Sequence, residues 1–114
     1  MIQTGVFVSE NDDVVASLMK GLGHPVRRRI LSLVIETDEP MSPAGLAEET
    51  KTKLSNISYH VRVLRSCKLV ELRGTKPAGG SVRHLYSPTD LLDHPFARAI
   101  LTAPGLNDAE SQAG

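Results

Sequence analysis

The chain has no tryptophan, two tyrosines, two phenylalanines and one cysteine, Cys67, among its 114 residues. With hydrophobic residues at 40% and so few aromatics, its core has to be built from leucine, valine, isoleucine and alanine. A single cysteine excludes an internal disulfide and fits a reducing compartment. No apolar run approaches the roughly 20 residues that a membrane-spanning helix requires. The opening residues, 1–8, lack the charged segment and long apolar core of a signal peptide, so the expected location is cytoplasmic. There is no internal repeat, no glycine-rich phosphate loop, and no Ser/His/Asp or Cys/His set with a supporting motif. An enzyme is therefore not expected. The length suits one domain with one modest core.

Net charge is also lacking, with 13 Lys and Arg against 13 Asp and Glu, but the balance is regional. Residues 1–50 carry four basic and eight acidic groups, a net −4, and residues 87–114 carry Arg98 against four acids, a net −3. Between them Lys51, Lys53, Arg62, Arg65, Lys68, Arg73, Lys76 and Arg83 face Glu71 alone, a net +7. Positive potential is thus concentrated on the middle third, the footprint of a phosphate-binding surface.

Hydrophobic spacing organises the rest. Residues 1–10 are short and mixed and read as a loose arm. Val14, Val15, Leu18, Met19 and Leu22 recur at three and four residues, predicting a helix over 11–21 that Gly21, Gly23 and Pro25 end. A second helix is expected over 25–37, with Val26, Ile30, Leu31, Leu33 and Val34 apolar; Arg27, Arg28 and Arg29 are consecutive and cannot all face one partner. Ser42 as cap and Pro43 in the first turn predict a short helix over 43–50, burying Leu46 and Ala47. Thr52 is the expected cap of a helix over 53–67, with Ile57, Val61 and Leu64 facing the core. Two helices joined so tightly describe a helix-turn-helix. The outer side of the second offers Ser55, Asn56, Ser58, Tyr59, Arg62 and Arg65, groups suited to base edges and phosphates, although a polar outer face is common to most helices.

After Leu69 the period drops to two. Residues 69–74 and 81–87 read as strands joined by a Pro/Gly-rich loop over 75–80, a hairpin within 69–87 whose cations either meet a phosphate backbone or simply keep it soluble. Thr89 or Asp93 caps a final helical segment over 89–103, with Leu91, Leu92, Phe96, Ala99 and Ile100 apolar, and 104–114 reads as a disordered tail. The fold class is mainly α with a small β-hairpin, one domain over 11–103.

Specific stretches carry a closer likeness. Residues 23–31, Gly-His-Pro-Val-Arg-Arg-Arg-Ile-Leu, then Leu46-Ala47-Glu48-Glu49, then Ile57-Ser58-Tyr59-His60-Val61-Arg62-Val63-Leu64, then Leu69-Val70, occur in the order and spacing of ArsR-type winged helix-turn-helix transcriptional regulators. The resemblance covers roughly residues 14–87. It implies a sequence-specific double-stranded DNA-binding regulator, expected to be a repressor, working as a homodimer with the 53–67 helix in the major groove and the hairpin on the backbone or in the minor groove. Ser55, Asn56, Ser58 and Tyr59 become the base-contact candidates. Lys51, Lys53, Arg62, Arg65, Lys68, Arg73, Lys76 and Arg83 become the backbone candidates. Family members dimerise through the first and last helices, which points here to Val15, Leu18, Met19, Leu92, Phe96 and Ile100. His60 is either a packed structural residue or a contact, and Cys67 reads as packing rather than as a redox switch. Lys51 stands where the family usually has glycine and Gly45 where it usually has Glu, which puts the turn geometry in question. The family's cysteine pair is missing from 43–50, and Asp90, Asp93 and His94 lack the second histidine of its other metal site, so no metal, cofactor or small-molecule effector is indicated. The alternative is a winged-helix interaction module whose basic face binds an acidic protein.

Overall fold

Caps and prolines set where the helices begin. The computed structural model describes residues 10–103, so the expected arm, apart from Glu10, and the 104–114 tail lie outside the described residues. In chain order it contains α1 (Glu10–Leu22), α2 (Pro25–Thr37), α3 (Pro43–Thr50), α4 (Leu54–Ser66), β1 (Val70–Ala78), β2 (Ser81–Pro88), a 3₁₀ turn (Asp90–Asp93) and α5 (Pro95–Thr102). Proline occupies the first turn of α2, α3 and α5, where a missing N–H costs nothing. Ahead of each, one side chain accepts a backbone N–H: His24 Nδ1 from Val26 at 3.1 Å, Ser42 Oγ from Gly45 at 3.0 Å and His94 Nδ1 from Phe96 at 3.1 Å.

The expected cap of α4 is not used, and of the two alternatives for the final segment Thr89 serves and Asp93 does not. Thr52 turns its hydroxyl back to donate to the Thr50 carbonyl, and α4 starts after Lys53 with no side-chain cap. Asp93 is drawn instead to Arg98 at 3.2 Å, leaving Thr89 to cap the 3₁₀ turn and His94 to cap α5. Lys51 settles the turn question. It adopts the left-handed backbone (φ 54°) that a glycine would take, and paired bonds, Lys51 N–H to Glu48 at 3.3 Å and Thr52 N–H to Ala47 at 3.1 Å, close α3 behind it. Lys68 (φ 64°) ends α4 the same way, with Leu69 N–H reaching the Leu64 carbonyl at 2.9 Å.

The core is aliphatic: Leu18, Ile30, Leu31, Val34, Leu46, Ile57, Leu64 and Leu69 are fully buried, with Cys67 packed among them. Ala47 is only half-buried. Gly21 does not end α1; it lies inside the helix, where a Cβ would run into the Leu69 side chain. Its lack of a side chain lets α1 close down on the junction between α4 and β1. Leu18 and Leu92, read from sequence as interface residues, are 0% and 6% exposed because their own core takes them.

The hairpin is longer than its composition suggested. The antiparallel ladder continues through Thr75↔His84, Lys76↔Arg83 and Pro77↔Val82 to a two-residue turn, Gly79-Gly80, with both φ values positive (55° and 87°). Pro77 is tolerated because both strands of a two-stranded sheet are edges. A register shift between Leu72 and Gly74 leaves Arg73 as the extra residue of a bulge. At the hairpin's base, Met41 exchanges two backbone bonds of 2.9 Å with Tyr86, a pairing the sequence did not announce. Thr89 fixes the other corner by donating to the Lys68 carbonyl at 2.6 Å. No helix of the described residues is long and apolar enough to cross a membrane.

Candidate nucleic-acid interface

The basic middle third folds into α4 and the wing formed by β1 and β2. One stripe of α4, Ile57, His60, Val61 and Leu64, is buried against the rest of the domain. The three consecutive arginines of α2 divide between tasks. Arg28 is buried and donates to the Leu22 carbonyl at 2.8 Å; Arg27 donates to the carbonyls of Gly21 at 3.1 Å and Lys20 at 2.8 Å. Both therefore satisfy the open end of α1, where cations also complement the helix dipole. Arg29 is left exposed.

Arg27 also reaches His60 Nδ1 at 3.2 Å. A guanidinium only donates, so this nitrogen accepts and the neutral ring carries its proton on Nε2. The His24 ring lies 4.4 Å away, centroid to centroid. Burial first, then the cost of placing a second imidazolium beside the His24 ring, and then the Arg27 guanidinium, hold the His60 pKa below the ordinary histidine value. His60 is thus a structural residue that ties α4 to the α1–α2 corner. Of the two roles the sequence left open for His60, packed structural residue or contact, the structure gives it the first.

The other three sides of α4 face outward. Ser55, Asn56 and Tyr59 are exposed, Tyr59 at 53%, while Ser58 is half-buried. At 100° per residue, Ser55, Tyr59 and Arg62 form the strip opposite the core, Ser58 and Arg65 the flank toward the wing, and Asn56 the opposite flank. The wing flank and β2 enclose a cleft of about 620 Å³, whose lining includes Ser58, Arg62 and Arg65 from α4 and Arg83 and His84 from β2. It also contains Leu54, Val82 and Tyr86, which the sequence reading did not single out. Leu54 lies seven residues before Val61, a core spacing, yet the N-terminal end of α4 projects past the core.

The structure thus brings Ser58, Arg62, Arg65 and Arg83 together. Lys51 and Lys53 flank the uncapped start of α4, and Lys76 stands near the tip of the wing. Arg73 is exposed and 3.5 Å from Glu71, a surface pair of little energetic weight. Lys68 sits apart from the cleft, at the far end of α4 beside the base of β1. Of the residues near the family's metal positions, His94 serves as a helix cap and Asp93 as an ion-pair partner.

Residues 22–73 match a family described as a helix-turn-helix domain. No curated protein matches the chain in sequence. Among solved structures the chain is similar to HlyU from Vibrio cholerae, at 21% identity over 82% of this chain and 90% of that one, with a TM-score of 0.57. It is similar to NolR from Sinorhizobium fredii, at 21% identity over 90% and 97% of the two chains and a TM-score of 0.61. A third likeness is to the homodimeric winged helix-turn-helix DNA-binding domain Mb0332 from Mycobacterium bovis, a possible ArsR-family transcriptional regulator, at 24% identity over 95% and 91% and a TM-score of 0.62. The tight α3–α4 pair, the β1–β2 wing beside it and these likenesses together identify a winged helix-turn-helix fold.

Proposed function

We propose that this chain is a sequence-specific double-stranded DNA-binding transcriptional regulator that acts as a homodimer. The observation that carries the reading is the exposed side of α4. Its hydrogen-bonding residues Ser55, Asn56, Ser58 and Tyr59 continue into Arg62 and Arg65, and the cleft beside them is walled by a cationic wing. Laid in a major groove, α4 would turn its N-terminal residues toward base edges, with Asn56 suited to adenine and Tyr59 to a base or a phosphate. Arg62, Arg65 and Arg83, with Lys51 and Lys53 at the open start of α4, would meet the phosphates on either side, and Lys76 would extend the contact along the wing. The Mycobacterium bovis relative is a homodimeric DNA-binding domain, which supports the same assembly here. Met19 (61% exposed) and Phe96 (36%), with half-buried Val15 and Ile100, give α1 and α5 an apolar face for it. Two copies would then occupy successive grooves, and occlusion of a promoter, hence repression, is the proposed mode.

The test is a binding titration of the full chain on labelled duplexes between about 50 and 200 mM salt. Log K should fall with a slope of roughly −0.9 for each phosphate neutralised. Arg62→Ala and Arg83→Ala should each weaken binding and make the slope shallower by about one. No binding to any duplex, with an acidic protein bound instead, would contradict the reading.

A further inference from the structure

We propose that Leu54 is a specificity-determining residue that reads the 5-methyl group of a thymine, an assignment that rests on α4 entering the major groove. Leu54 is the first residue of α4 and is 51% exposed, whereas Ile57 and Val61 further along the same helix are 0% and 3% exposed. Its side chain lines the cleft with Ser58, Arg62 and Arg65. Phosphates are bound by donors and cations, so an exposed leucine among serine and arginine adds nothing to backbone contact. Among base edges in the major groove, the thymine methyl is the apolar feature available to such a side chain. The polar neighbours Ser55, Asn56 and Ser58 supply hydrogen bonds to adjacent edges, leaving the aliphatic contact to Leu54. Val82 also faces the cleft, at 56% exposure, but from the wing, next to Arg83 and four residues from the hairpin tip turn's start at Ala78.

The experiment uses the full chain and a duplex enriched from random sequence, with each thymine of a half-site replaced in turn by deoxyuridine, which removes only the methyl. Burying one methyl is worth a factor of about four in affinity. The wild type should therefore lose about fourfold at one thymine per half-site, and Leu54→Ala should bind the thymine and uracil duplexes equally. Because Leu54 is half exposed, the variant is expected to keep its fold, checked by circular dichroism. The assignment is overturned if no thymine is methyl-sensitive, or if the sensitivity survives in Leu54→Ala and is lost in Val82→Ala. Failure to enrich any duplex overturns the DNA-binding reading itself, whereas an enriched duplex indifferent to uracil overturns only the role of Leu54.

Discussion

His60 shows how one side chain links the middle of α4 to the end of α1 and the start of α2. It accepts from Arg27, whose other nitrogens hold the last carbonyls of α1, and it lies against His24, whose Nδ1 accepts from the first turn of α2. Both rings are thus engaged as acceptors at Nδ1, and protonation there would break the bonds they make. Because the native His60 pKa is lowered, the unfolded chain binds the additional proton first as the pH falls. The stabilisation is complete above the ordinary histidine value of about 6.5 and is lost as the pH drops from there toward the lowered native value. Urea unfolding midpoints should accordingly fall between about pH 7.5 and pH 5.5, and His60→Asn, which keeps an acceptor near the Nδ1 position, should show a smaller fall. Equal pH dependence in both proteins would remove His60 from this role.

At the scale of elements, close approach matters more than propensity. Gly21 sits where α1 meets the Leu69 side chain, so Gly21→Ala should destabilise the domain by about 1–3 kcal/mol through overpacking, despite alanine's better helix propensity. Thermal melting checks this, and an unchanged or higher midpoint would contradict the packing. The same residue marks a limit of reading sequence alone. Glycine near a helix end signals termination, and only the neighbouring element reveals that it permits contact. Helices α2 and α3 were legible to the residue because proline and a capping side chain are local signals; the start of α4 was not, because it has no such cap. The wing was found but read too short, since Thr75, Lys76 and Pro77 are held in the ladder by their partners across the strand rather than by their own preference. The candidate site was legible in its charges and in the outer residues of α4. Leu54 and the Met41–Tyr86 pairing depend on three-dimensional placement and left no local signal, and the run Arg27–Arg29 showed that the arginines must divide but not which carbonyls they would meet.

For the molecule as a whole, most of the cations and the apolar surface of α1 and α5 lie on different elements, although Leu54 and Val82 are also exposed beside the cations of the cleft. Cations gather on α4 and the wing, while exposed Met19 and Phe96 lie on α1 and α5. A charge placed on the apolar side should therefore separate assembly from folding. Met19→Lys combined with Phe96→Lys should give a folded monomer by light scattering, with DNA affinity reduced at least tenfold because the second half-site is lost. A variant that remains dimeric would place the interface elsewhere. The central claim is tested most directly by selecting duplexes from random sequence with the full chain. The account predicts enrichment of a pseudo-palindrome whose half-sites lie about 10–10.5 base pairs apart, centre to centre, with enrichment reduced by Asn56→Ala. Recovery of unenriched sequence, at affinities equal for all duplexes, would contradict it.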